Sequence, residues 1–137
     1  MNLRWLAVMS ILFCSAAQSS PFPIQIIEQF DDARIVAFIN EGDVNDSAQW
    51  NPLEDAPPLS VASAIEAVKQ QYLKQNKTLA SLSIREIEIR QVPQHKNHWH
   101  YLIKVKSKVG NTFKNTFYVV LMDGKVIPAI VEPKSIK

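Results

Sequence analysis

The chain has 137 residues, of which 47% are hydrophobic and 20% charged, with a net charge of +2. That composition excludes a disordered tail, and the length suits one domain better than two. The single cysteine, Cys14, lies in a leader-like segment. The rest of the chain therefore has no disulfide, thiolate nucleophile or Cys-ligated metal to draw on.

Residues 1–20 read MNLRWLAVMSILFCSAAQSS, with Arg4 ahead of an apolar run over residues 5–13 and small residues at Ser15, Ala16 and Ala17. Charge, apolar stretch and small-residue exit in that order are the layout of a secretory signal peptide. Cleavage is expected after Ala17, or else after Ser19, giving a signal at 1–19 and a single domain at 20–137. The run falls short of the roughly 20 apolar residues that cross a bilayer, so no stable membrane span is expected. Phe13 precedes Cys14 where a lipid-attachment signal carries a small residue. The expected location is the periplasm or the medium.

Residues 21–40 hold two apolar clusters, Ile24-Ile26-Ile27 and Ile35-Val36-Ala37-Phe38-Ile39. The second is short, β-branched and ended by Glu41-Gly42, which predicts a strand. The first is a strand or a loose arm, weakened by Pro21 and Pro23. Residues 41–58 lose periodicity and gather Asp, Asn, Gly and Pro, as a loop does. Trp50 is the large apolar group there, placed to plug an edge of the core or to stack on a ligand.

Ser60 then opens a helix predicted over 60–76, accepting hydrogen bonds from the free N–H groups of the first turn. Val61, Ala64, Ile65, Val68 and Tyr72 recur at helical spacing, and Leu59 can staple to Ala64 across the cap. One apolar stripe needs one flat partner. Residues 82–92 are β-rich, with Ile84 on one phase and Ile87 and Ile89 on the other. The slip at Arg85-Glu86 is the mark of a bulge or of a two-sided strand. Residues 98–109 alternate, with Trp99, Tyr101, Ile103 and Val105 on one side and His98, His100, Leu102, Lys104, Lys106 and Lys108 on the other. Phe113, Phe117, Val119 and Leu121 continue the pattern, Asp123-Gly124 marks a tight turn, and Pro128 suits the last strand to an edge.

The expected fold is α+β: one amphipathic helix on an antiparallel meander of about four strands, plus an N-terminal strand or hairpin. The helix should pack through Val61, Ile65, Val68 and Tyr72 onto Trp99, Tyr101, Ile103, Phe117 and Val119, leaving the other sheet face wet.

Charge is segregated along the chain. Residues 18–66 carry nine acidic groups against Arg34, and residues 67–137 carry thirteen Lys and Arg against four acids. Either the halves neutralise each other or a basic face awaits an anionic partner. Lys104, Lys106 and Lys108, continuing from His98 and His100, would form such a face. No basic-aromatic motif points to nucleic acid.

Residues 95–100, HKNHWH, are the cluster that could carry metal chemistry. His98 and His100 are two apart on a strand, so their imidazoles share a face, and His95 in the preceding loop is a possible third ligand. The alternative is that they are ordinary members of a sheet face. No GxSxG, HExxH or glycine-rich phosphate loop is present, and the chain has three glycines in all, so no catalytic residue, enzyme activity or cofactor is expected. Asp31-Asp32 and Glu54-Asp55 are neighbours in turn-like segments, which solvate or cap more often than they catalyse. Asn45-Asp46-Ser47 and Asn76-Lys77-Thr78 fit the glycosylation sequon.

The order of helix, strand, a strand ending Tyr101-Leu102-Ile103-Lys104-Val105, and then Phe117-Tyr118-Val119-Val120-Leu121-Met122-Asp123-Gly124-Lys125-Val126-Ile127 resembles the PepSY domain family. The resemblance covers the C-terminal two thirds of the domain. It implies a small exported, non-enzymatic module that binds or inhibits peptidases or acts as a sensing unit, and it brings no catalytic residues. The expected function is accordingly binding of a peptide or protein partner in the exported compartment. The alternatives are an anionic ligand on the basic face and a metal held by the histidines.

Overall fold

The structure, a computed structural model, describes residues 22–31, 33–75 and 78–132. The expected signal peptide and its cleavage sites lie outside the described residues, as do Cys14 and, in the second sequon, Asn76 and Lys77.

The fold is α+β, with two antiparallel sheets and one principal helix. Strands β1 (Ile24–Gln29) and β2 (Arg34–Ile39) form a hairpin, closed where the Phe30 N–H donates to the Ala33 carbonyl at 2.9 Å. The two-residue strand β7 (Ile130–Val131) completes this sheet in the order β1-β2-β7. Strands β3 (Leu82–Gln91), β4 (Trp99–Val109), β5 (Thr112–Leu121) and β6 (Val126–Pro128) follow one another as a meander in the order β3-β4-β5-β6. Pro128, which has no N–H for a ladder, ends the edge strand β6. At the β5–β6 turn Gly124 takes a φ of +91°, and Asp123 Oδ1 accepts from the Lys125 N–H at 3.1 Å.

Helix α2 (Val61–Gln75) begins where the cap residue predicts, with the Ser63 N–H donating to Ser60 Oγ at 3.1 Å. Leu59 packs on the cluster that holds Ala64, as a staple requires. The helix buries Ala64, Val68 and Tyr72 against Tyr101, Ile103, Val105, Tyr118, Val120 and Met122 of the large sheet.

Val68 and Tyr72 meet the expected β4 face of Trp99, Tyr101 and Ile103, but Ala64 takes the place of Val61 and Ile65 on the helix, and β5 contributes its other phase. Val61 is exposed and Ile65 half-buried. Phe117 and Val119 face away from the helix. The antiparallel register decides it: Tyr101 opposes Val120 and Ile103 opposes Tyr118, and directly opposed residues share a face. Both phases of β5 are apolar because both of its faces are buried.

The face expected to be wet is covered over much of its extent. Ile26, Ile35, Ala37 and Ile39 of the small sheet pack on Leu102, Phe117, Val119 and Leu121. The large sheet is thus the middle of three layers. Each Val, Leu, Ile or Phe buried on either side is worth about 1.5–3 kcal/mol. Residues 41–58 are not all loop either: Glu41–Asp46 form a short helix, α1, whose Val44 is fully buried in the same core. Its one apolar side chain carries no periodicity, so the contact that stabilises it is tertiary. The slip at Arg85 is a bulge, the β3–β4 register shifting between Ile84 and Glu86.

Candidate functional site

The three histidines do not assemble as one site. His98 precedes β4, and its Nδ1 lies 3.4 Å from Ser47 Oγ. That hydroxyl spends its one proton on the Val44 carbonyl at 2.6 Å, so the imidazole is the donor in the His98–Ser47 contact. His95 Nδ1 donates to the Pro93 carbonyl at 2.7 Å, and its Nε2 stands 3.5 Å from Glu41 Oε1. His100 is fully buried, donating from Nδ1 to the Tyr101 carbonyl at 3.2 Å, with Nε2 sealed and unpartnered among the described residues. Burial, aided by the nearby Arg90 charge and only partly offset by that hydrogen bond, pushes the His100 imidazole below its ordinary range. The side chains of His98 and His100 are therefore core groups and not members of a wet face. Among the described residues no three His, Cys, Asp or Glu are grouped to hold a metal ion.

Nor is the lysine row a free cationic strip. Lys104 Nζ lies 3.0 Å from Glu28 and 3.2 Å from Glu86. Lys106 sits 4.5 Å over the Phe113 ring, a cation–π contact, and Lys108 is exposed. Acidic groups of the N-terminal half and basic groups of the C-terminal half meet directly, at Glu28 with Arg90 and Lys104 and at Asp43 with Lys125. Burial alone would raise the Glu28 carboxyl. Hydrogen bonds from Arg90 and Lys104, together with their charges, outweigh it and hold the group below the usual carboxylate range. Trp50 is a plug: its ring meets Trp99 edge-on at 5.3 Å, and its indole N–H donates to the Asp55 carbonyl at 2.8 Å.

The feature that alternation alone missed is the outer edge of β3. No strand pairs with it among the described residues. Ile84, Ile87 and Ile89 oppose Val105, Ile103 and Tyr101, which places all three on the helix side of the sheet. The bulge is what aligns them, since the extra residue Arg85 returns Ile84 to the face of Ile87 and Ile89. Helix α2 lies over β5 and β6, so these isoleucines stay 37–38% exposed. Between strand and helix runs a groove of about 330 Å³ lined by Ile65, Lys69, Leu79, Leu82 and Ile84. The opposite face of β3 is ionic, carrying Glu86, Glu88 and Arg90. The phase slip in the sequence was the available signal for this row.

Among the described residues no helix is long and apolar enough to cross a membrane. Comparison of the chain with protein-family models, with curated proteins and with solved structures found no match.

Proposed function

We propose that the chain is a small exported binding module, PepSY-like in the order of its elements, that accepts an extended peptide as an added strand along β3. The observation that carries this reading is the open edge of β3 with three isoleucines aligned beside an apolar groove. An added strand satisfies the unpaired backbone groups of the edge, while every second side chain enters the groove. Exposed, aligned apolar side chains on an edge strand otherwise invite aggregation.

The charges favour a foreign strand over a second copy. Two β3 strands paired about Ile87 would set Glu86 against Glu88 on both sides, and opposed like charges destabilise a sheet. The fitting occupant alternates apolar residues with neutral or basic ones. The anionic-surface alternative is weaker because Lys104 is already paired.

Titration of the ¹⁵N-labelled protein with a synthetic peptide alternating valine and lysine tests the reading, a scrambled peptide serving as control. The expected result is shifts confined to β3 and the Ile65 side of α2, abolished in Ile87→Lys, whose half-exposed site leaves the fold intact. Unmoved β3 amides, equal binding by Ile87→Lys, or a concentration-dependent dimer in place of peptide binding would each overturn it.

A further inference from the structure

A second concave site lies on the helix side of the large sheet, one strand over from the β3 groove, since its lining residue Ser107 is paired with Leu82 of that groove. Under α2 the sheet presents Tyr101, Ile103, Val105 and Val120. Beyond Tyr72, the last buried residue of the helix, the same face turns polar. Ser107 opposes Lys114, and Thr116 and Tyr118 follow on that face in register with Val105 and Ile103. These side chains line a cleft of about 250 Å³, whose other wall is Val109, Pro128 and Ile130. Ser107 and Tyr118 are 7% and 4% exposed and so lie in the floor of the cleft, while Lys114 is exposed at its mouth.

The lining defines a chemistry. Among the described residues it contains one ammonium group, the hydroxyls of serine, threonine and tyrosine, and no carboxylate. Among the described residues Lys114 has no acidic partner. A carboxylate accepts hydrogen bonds from an ammonium and from hydroxyls at once, and charge-assisted bonds of this kind are the strong ones. The Val109, Pro128 and Ile130 wall would take an apolar tail. A single lysine, with the C-terminal residue Gln75 of α2 at the rim, favours one negative charge over the two of a phosphate, because helix C-termini carry partial negative charge. The volume lies just below the usual range of about 300–1,000 Å³ for ligand pockets, which restricts the ligand to a small molecule or the end of a chain.

We infer that this cleft binds a small apolar monocarboxylate, with Lys114 and the hydroxyls of Ser107 and Tyr118 holding the carboxylate. None of Ile84, Ile87 and Ile89 lines the cleft, so its test is separable from that of the β3 edge. Titration of the full ¹⁵N-labelled chain with hexanoate and with benzoate, against hexanol and benzyl alcohol, tests it. Expected are saturable shifts at Ser107, Thr116 and Tyr118 for the acids, weakened about tenfold or more in Lys114→Met and in Tyr118→Phe. Ile87→Lys should bind the acids like the wild type. Equal shifts from acids and alcohols, or acid binding that survives Lys114→Met unchanged, would overturn the inference.

Discussion

Glu28 of β1 and Lys104 of β4 meet at 3.0 Å across the interface of the two sheets. With Arg90 on the other oxygen of the same carboxylate at 2.5 Å, this contact ties the N-terminal hairpin to two adjacent strands of the meander. It joins the acidic half of the chain to the basic half at a half-sheltered position.

Replacing Glu28 by Gln is expected to cost about 1–2 kcal/mol, between the values for exposed and buried ion pairs. Because folding lowers the carboxyl's affinity for protons, this stability is present above the ordinary value of 4.5 and is lost as pH falls below it. Denaturant melts at pH 7 and pH 3 should show a difference between wild type and variant that shrinks in acid.

His100 acts in a higher window. Its imidazole is held below the ordinary value of 6.5, so below that pH the unfolded chain binds a proton that the folded protein resists. Wild-type stability should therefore fall as pH drops from 6.5 towards 5. His100→Leu should flatten that segment of the profile, while Glu28→Gln leaves it in place. Chemical denaturation across this range separates the two groups.

Val68 is fully buried against the large sheet. Val68→Asp buries an unpaired charge whose cost rivals the total stability of a domain, about 5–15 kcal/mol, and should abolish the cooperative melt. Ile65→Asp, at the half-open groove, should retain a folded far-UV spectrum. Equal melts for the two variants would contradict the assigned helix face.

Two glycines should respond with opposite signs. Gly124→Ala forces a φ of +91° on a residue with a Cβ and should destabilise by about 1–2 kcal/mol. Gly42 is exposed within α1, with open space where a Cβ would go. Gly42→Ala should stabilise by about 0.5–1 kcal/mol. Thermal melts of the two variants measure both.

Export is checked by N-terminal sequencing of the protein recovered from cells. The expected sequence starts at or near Gln18; retention of Met1 in a cytosolic fraction would contradict it.

Local features of this chain were legible from residue types alone. Ser60 marks the start of α2 because a hydroxyl satisfies free N–H groups within one turn. Asp123-Gly124 marks a turn because glycine tolerates positive φ, and the phase slip at Arg85 marks a bulge because side chains alternate with period two. What remained open was which surfaces meet. β5 is apolar on both phases, so alternation could not choose between Tyr118 and Phe117 for the helix; the register with β4 chose. His98 and His100 looked wet because nothing in the local pattern reveals that remote segments, Ser47 at His98 and the N-terminal hairpin over Leu102, cover that side of the sheet, and Lys104 looked free because Glu28 is equally remote in sequence. The edge of β3 and the polar cleft likewise exist only where α2 stops covering the sheet. Their geometry comes from packing between distant segments, which the one-dimensional pattern of apolar residues does not encode.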